Sequence, residues 1–69
     1  MKSLSGKEFC QLLEERGWEL LRIKGSHHIF GKKGCKIHLS IPVHGSRPLK
    51  IGLQKYFMKI ADISEEDFY

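Results

Sequence analysis

Residues 36–42, Lys36-Ile37-His38-Leu39-Ser40-Ile41-Pro42, alternate polar and apolar side chains without a break. A period of two belongs to a strand with one face on a core and the other in water, so Ile37, Leu39 and Ile41 are expected inward and Lys36, His38 and Ser40 outward. Pro42 has no N–H to give to a ladder and closes the run. Upstream, Gly31-Lys32-Lys33-Gly34 brackets two lysines with two glycines, as a hairpin loop does, which makes His27-His28-Ile29-Phe30 the preceding strand. Gly25-Ser26 reads as another turn. Before it, Glu19-Leu20-Leu21-Arg22-Ile23-Lys24 is a first strand in which Leu21 and Ile23 alternate with Arg22 and Lys24.

Helical spacing flanks this block on both sides. Ser5-Gly6-Lys7-Glu8 fits a capping box, Phe9, Leu12, Leu13 and Arg16 follow at i, i+3, i+4 and i+7, and Gly17 suits a helix stop. The pattern predicts a helix over about Gly6 to Arg16, with Trp18 as a lid on its end. Val43-His44-Gly45-Ser46-Arg47-Pro48 is rich in breakers and reads as a loop. From Leu49 to Ile63 helical spacing returns, with Leu53, Phe57 and Ile60 on one stripe. Ile63 to Tyr69 is an acidic end, either frayed or docked through Phe68. The expected fold is α+β: helix, three antiparallel strands, helix, with both helices covering the apolar face of the sheet.

A chain of 69 residues is expected to form one domain over residues 1–69, of modest stability because so short a chain buries only roughly 60% of its unfolded surface. Lys and Arg number 12 against 8 Asp and Glu, a formal charge of +4 with a pI near 9.3. Residues 20–61 hold no carboxylate side chain, so this stretch projects a positive field suited to a polyanion. No apolar run approaches the ~20 residues of a membrane span. Met1 to Glu8 lacks the apolar segment of a signal peptide, which leaves a cytoplasmic protein with no membrane partner as the expectation. Cys10 and Cys35 are expected as free, partly buried thiols. The four histidines and Cys35 are not spaced as a zinc motif, so neither metal nor cofactor is expected.

The order helix-strand-strand-strand-helix is also the layout of double-stranded RNA-binding domains. Within it, the run from Arg22 through Gly25-Ser26-His27-His28 to Phe30, then Ile41-Pro42-Val43-His44-Gly45 and a basic stretch opening the last helix, resembles the HicA toxin family over nearly the whole chain. The family's Gly-Ser-His motif falls on Gly25, Ser26 and His27, and its Pro-x-His turn on Pro42 to His44. Many members enter the last helix through a Gly-Thr-Leu-like sequence, whereas Ile51-Gly52-Leu53-Gln54 here has no hydroxyl residue. The resemblance implies the mRNA-cleaving toxin of a type II toxin–antitoxin system, with His27 catalytic and a HicB-type antitoxin covering it.

The residue types suit that chemistry on their own terms. RNA carries its own nucleophile, the 2′-hydroxyl, and needs a base that works near neutral pH, which histidine supplies. Attack on phosphorus builds negative charge that a cation such as Lys24 can stabilise. Gly25 lets the backbone approach a phosphate closely, and the Ser26 hydroxyl can orient the imidazole or a phosphate oxygen. If Phe30 is a core residue, strand parity puts His28 on its inward side and His27 on the wet side with Ile29. Lys32, Lys33, Lys36, His44, Arg47 and Lys50 are the expected RNA contacts. His28, His38 or a water stand open as the group that protonates the leaving oxygen, with His38 a candidate cross-sheet neighbour of His27. Two rival readings keep the basic surface without the chemistry: a non-catalytic RNA-binding module, and a protein-interaction domain in which the charge is incidental.

Overall fold

The computed structural model describes residues 1–68; Tyr69, the last residue of the acidic end, lies outside the described residues. Helix α1 spans Gly6–Glu15, and its capping box forms: the Glu8 amide donates to Ser5 Oγ at 3.1 Å and the Ser5 amide to the Glu8 carboxylate at 2.9 Å. These bonds, the Ser5 amide first, hold the Glu8 carboxyl below the ordinary carboxylate range. The helix stops at Arg16, Gly17 takes a positive φ of 89°, and Trp18 folds back to bury its ring.

Strands β1 (Glu19–Lys24), β2 (His27–Lys32) and β3 (Cys35–Pro42) form an antiparallel sheet in that order, with β2 in the middle. Helix α2 spans Ile51–Ala61 and ends on Asp62 in the left-handed conformation. The fold is therefore α+β, with an α-β-β-β-α order and an open three-stranded sheet. Phe30, Leu39 and Ile41 from the inner face of the sheet join Phe9, Leu12 and Leu13 of α1 and Phe57 and Met58 of α2 in one buried cluster. The rings of Phe9 and Phe57 meet at 5.7 Å between centroids, so the helices share that face. The acidic end is docked: Ile63 is buried, Phe68 packs on the cluster, and the Asp67 carboxylate meets the Arg16 guanidinium at 2.9 Å.

Three details depart from the simple periodicity. In β1 the register shifts between Leu20 and Arg22, and the bulge places Leu21 against Gly31 and His38 on the outer face instead of toward the core. Leu21 and Ile23 stay 45% and 56% exposed on this edge strand, and Ile37 is 44% exposed in β3 where Leu39 and Ile41 are buried. In α2 the buried stripe is Gln54, Phe57, Met58 and Ala61; the expected Leu53 is exposed and Ile60 only half-buried.

A glutamine takes a core position in α2 because the N-terminal segment supplies partners for its amide. The Leu4 amide donates to Gln54 Oε1 at 2.7 Å, and Gln54 Nε2 donates to the Lys2 carbonyl at 2.7 Å. The segment is also tied to the loop before α2, where the Leu49 amide donates to the Leu4 carbonyl at 2.7 Å. Gln54→Leu keeps the volume but strips the buried Leu4 amide of its acceptor. It should cost about 1–3 kcal/mol in a denaturant titration; a midpoint equal to that of the parent chain would show that these bonds contribute nothing.

Candidate active site

Lys24 and His27 face each other across β1 and β2, so Gly25 and Ser26 alone make the turn. Gly25 has φ 59°, the positive value that the first central residue of a type II′ hairpin turn needs. The turn is anchored on its far side, where the Val43 amide donates to the Ser26 carbonyl at 2.8 Å. Residues directly opposite in a sheet point to the same face. His27 is flanked by Lys24 on one side and Pro42 on the other, and it lies exposed on the outer face away from the helices. His28 pairs with Ile23 and with fully buried Ile41, and is half-buried on the inner side.

Past Pro42 the chain turns Val43 onto the core and leaves His44 exposed. There a shallow groove of about 330 Å³ opens, lined by Pro42, His44, Arg47, Lys50 and Leu53 among others. Helix α2 starts on this groove. Lys50 is its N-cap and makes no side-chain capping bond, and no acid stands in the first turn. The helix therefore adds its positive end to the charges of Arg47 and Lys50. Pro42 joins the two halves of the site, because it is both the cross-strand neighbour of His27 and a wall of the groove that holds His44. Among the described residues neither imidazole makes a hydrogen bond or ion pair.

The remaining candidate residues are elsewhere. Lys32, Lys33 and Lys36 cluster around the β2–β3 turn, with Lys32 five residues along β2 from His27, roughly 17 Å at the rise of a strand. Lys32 Nζ donates to the Arg16 carbonyl at 2.9 Å and so caps the C-terminal end of α1. His38 shares the outer face but sits beside Gly31, four residues from His27, and is not its cross-sheet neighbour. No three His, Cys, Asp or Glu side chains converge as a metal cage among the described residues. Both cysteines are free; burial, with a smaller contribution from Glu14, pushes the Cys10 thiol up to about 11. No helix among the described residues is long and apolar enough to cross a membrane.

The sequence reading keeps His44 apart from His27 and groups it with the RNA contacts. What joins them is the pairing of His27 with Pro42, two residues before His44. The fold and site thus define a small α+β protein with an open sheet, an exposed histidine beside a glycine turn, and cations gathered at the same end. The family model described as HicA toxin of bacterial toxin-antitoxin matches residues 6–63, and the chain belongs to that family. Membership assigns it the toxin side of a toxin–antitoxin pair, with an antitoxin as its partner. A search of curated proteins returned no match.

Proposed function

We propose that this chain is a metal-independent endoribonuclease that cleaves mRNA in the cytoplasm, with His27 removing the proton of the substrate 2′-hydroxyl. The observation that carries this reading is the register of β2, which leaves His27 exposed between Lys24 and Pro42 and directly after the Gly25-Ser26 turn. As the 2′-oxygen attacks phosphorus, the Lys24 ammonium stabilises charge on the nonbridging oxygens. Gly25 has no side chain to obstruct the phosphate, and Ser26 offers a hydroxyl to it. His28 supports the strand from the inner face, opposite Ile41 in the register. Arg47 and Lys50 hold phosphates at this end of the sheet, and Lys33 and Lys36, with Lys32, extend the positive surface toward the far end. A HicB-type antitoxin silences the enzyme by covering the outer face around His27.

The test is cleavage of a defined RNA with and without EDTA, beside the same RNA carrying one 2′-deoxy sugar at the cut. Cleavage should persist in EDTA and stop at the deoxy position. Loss of activity on chelation, or cutting at the deoxy sugar, overturns the mechanism, and tight binding with no cutting favours a non-catalytic RNA-binding module. Affinity for single-stranded RNA should also fall with salt, with a log–log slope of about −0.7 per phosphate neutralised. Salt-independent binding would contradict the role given to the basic residues.

A further inference from the structure

Removal of the 2′-hydroxyl proton is half of the proton traffic in this reaction. As the 2′-oxygen bonds to phosphorus, the bond from phosphorus to the 5′-oxygen breaks, and the departing oxygen needs a proton at that moment. Lysine and arginine side chains ordinarily hold their protons far above neutral pH, which makes a histidine the natural donor. Three histidines accompany His27, and the fold separates them. His28 belongs to the inner face, half-buried opposite Ile41. His38 lies four residues along the sheet, roughly 13 Å away at the rise of a strand, too far to share one phosphodiester with His27. Of the three, only His44 is both exposed and at the same end of the sheet as His27.

Its placement follows from the chain path. Pro42 sits opposite His27, Val43 turns onto the core while its amide binds the Ser26 carbonyl at 2.8 Å, and His44 emerges exposed in the groove that Pro42 also lines. A phosphodiester laid over Pro42 therefore has His27 on its β2 side and His44 on its groove side. Arg47 and Lys50 line the same groove and can hold the phosphate that follows.

Resting on the endonuclease reading above, we propose that His44 is a second catalytic residue, the general acid that protonates the leaving 5′-oxygen. The 2′-oxygen gives its proton to His27 and its electron pair to phosphorus, closing a 2′,3′-cyclic phosphate. The pair of the breaking P–O bond stays on the 5′-oxygen, which takes a proton from the His44 imidazolium and leaves as a 5′-hydroxyl. His27 ends protonated and His44 neutral, and exchange with solvent restores both.

The experiment uses two RNAs that differ only at the cut, one with the natural 5′-oxygen and one with sulfur in its place, because a thiolate departs without a proton. His44→Ala should cleave the natural RNA about 10²- to 10⁴-fold more slowly than the parent chain and the sulfur RNA within about tenfold of it. His44→Gln, which retains a polar side chain of similar reach, should behave the same way. His27→Ala should be slow on both substrates. Near-parental cleavage of natural RNA by both His44 variants, or an equal loss on the two substrates, overturns the assignment. A fast His27→Ala enzyme, by contrast, overturns the base assignment of the underlying reading. His44 is exposed, so melting temperatures of its variants should match the parent, and the rates then report chemistry and not folding.

Discussion

Replacing His27 with Ala should abolish growth arrest when the chain is expressed in a host without its antitoxin. The imidazole is exposed on the outer face of β2, so its removal takes away a proton acceptor and little buried surface. A positioned acid–base group contributes typically about 10²- to 10⁴-fold in rate, and a loss of that size leaves too little cleavage to stop growth. The fold should persist, since substitutions at exposed sites of this kind usually change stability by no more than about 0.5 kcal/mol. His28→Ala is the matched control. Its side chain is half-buried on the opposite face against Ile41, so it should lower stability by about 1 kcal/mol and touch the chemical step far less. Thermal melts and single-turnover cleavage of both variants separate the two effects. A toxic, cleaving His27 variant alongside a folded but inactive His28 variant would move the catalytic role to the other histidine.

Gly6→Ala should be the most damaging single-methyl change in the protein. By helix propensity alone it is favourable, with the preference of about 0.8–1 kcal/mol for alanine over glycine in a helix interior as the upper bound at this first helical position. Packing reverses the sign. A Cβ on Gly6 would overlap the Pro42 carbonyl oxygen, with the Pro42 carbonyl carbon 3.0 Å away and Val43 Cα 3.1 Å away, all backbone atoms that no rotamer change can clear. Forcing atoms into a packed contact costs typically about 1–3 kcal/mol, and a backbone overlap belongs at or above the top of that range. At about 0.05–0.15 kcal/mol of stability per residue, such a loss is a large share of what a chain this short has. The strain also falls on Pro42 and Val43, between His27 and His44, so cleavage should drop even in the folded fraction. Gly52→Ala supplies the comparison: it lies in the first turn of α2 with open space around it, and should be neutral or slightly stabilising. Equal denaturant midpoints for the two variants would show that α1 is not wedged against the end of β3.

Much of the architecture is written locally. The capping box at Ser5 and Glu8, the turn glycines at positions 25 and 34, and the alternation that buries Leu39 and Ile41 depend on neighbours within a few residues, and all of them form. The parity of β2 is of the same kind: burying Phe30 obliges His27 to face out and His28 to face in. The segregation of charge, with no carboxylate side chain from residue 20 to residue 61, is read directly from the order of residues.

Other features have no local signal. Gln54 looks like a surface residue until the Leu4 amide, 50 positions earlier, is seen to meet it, and its burial rotates the core stripe of α2 away from Leu53. The bulge after Leu20 breaks an alternation that reads as regular. The decisive case is the offset between β2 and β3. Counted back from the Lys32–Cys35 pair, an unbroken ladder puts His27 five places on from Cys35, opposite Ser40; the irregularity between Phe30 and Lys32 moves it two residues, to Pro42. Where a strand is regular, periodicity determines which face a side chain takes, because adjacent residues there alternate. It carries no information on how far one strand slides past the next. That offset is set by bulges and by packing against the helices, and here it decides which histidine stands near His27.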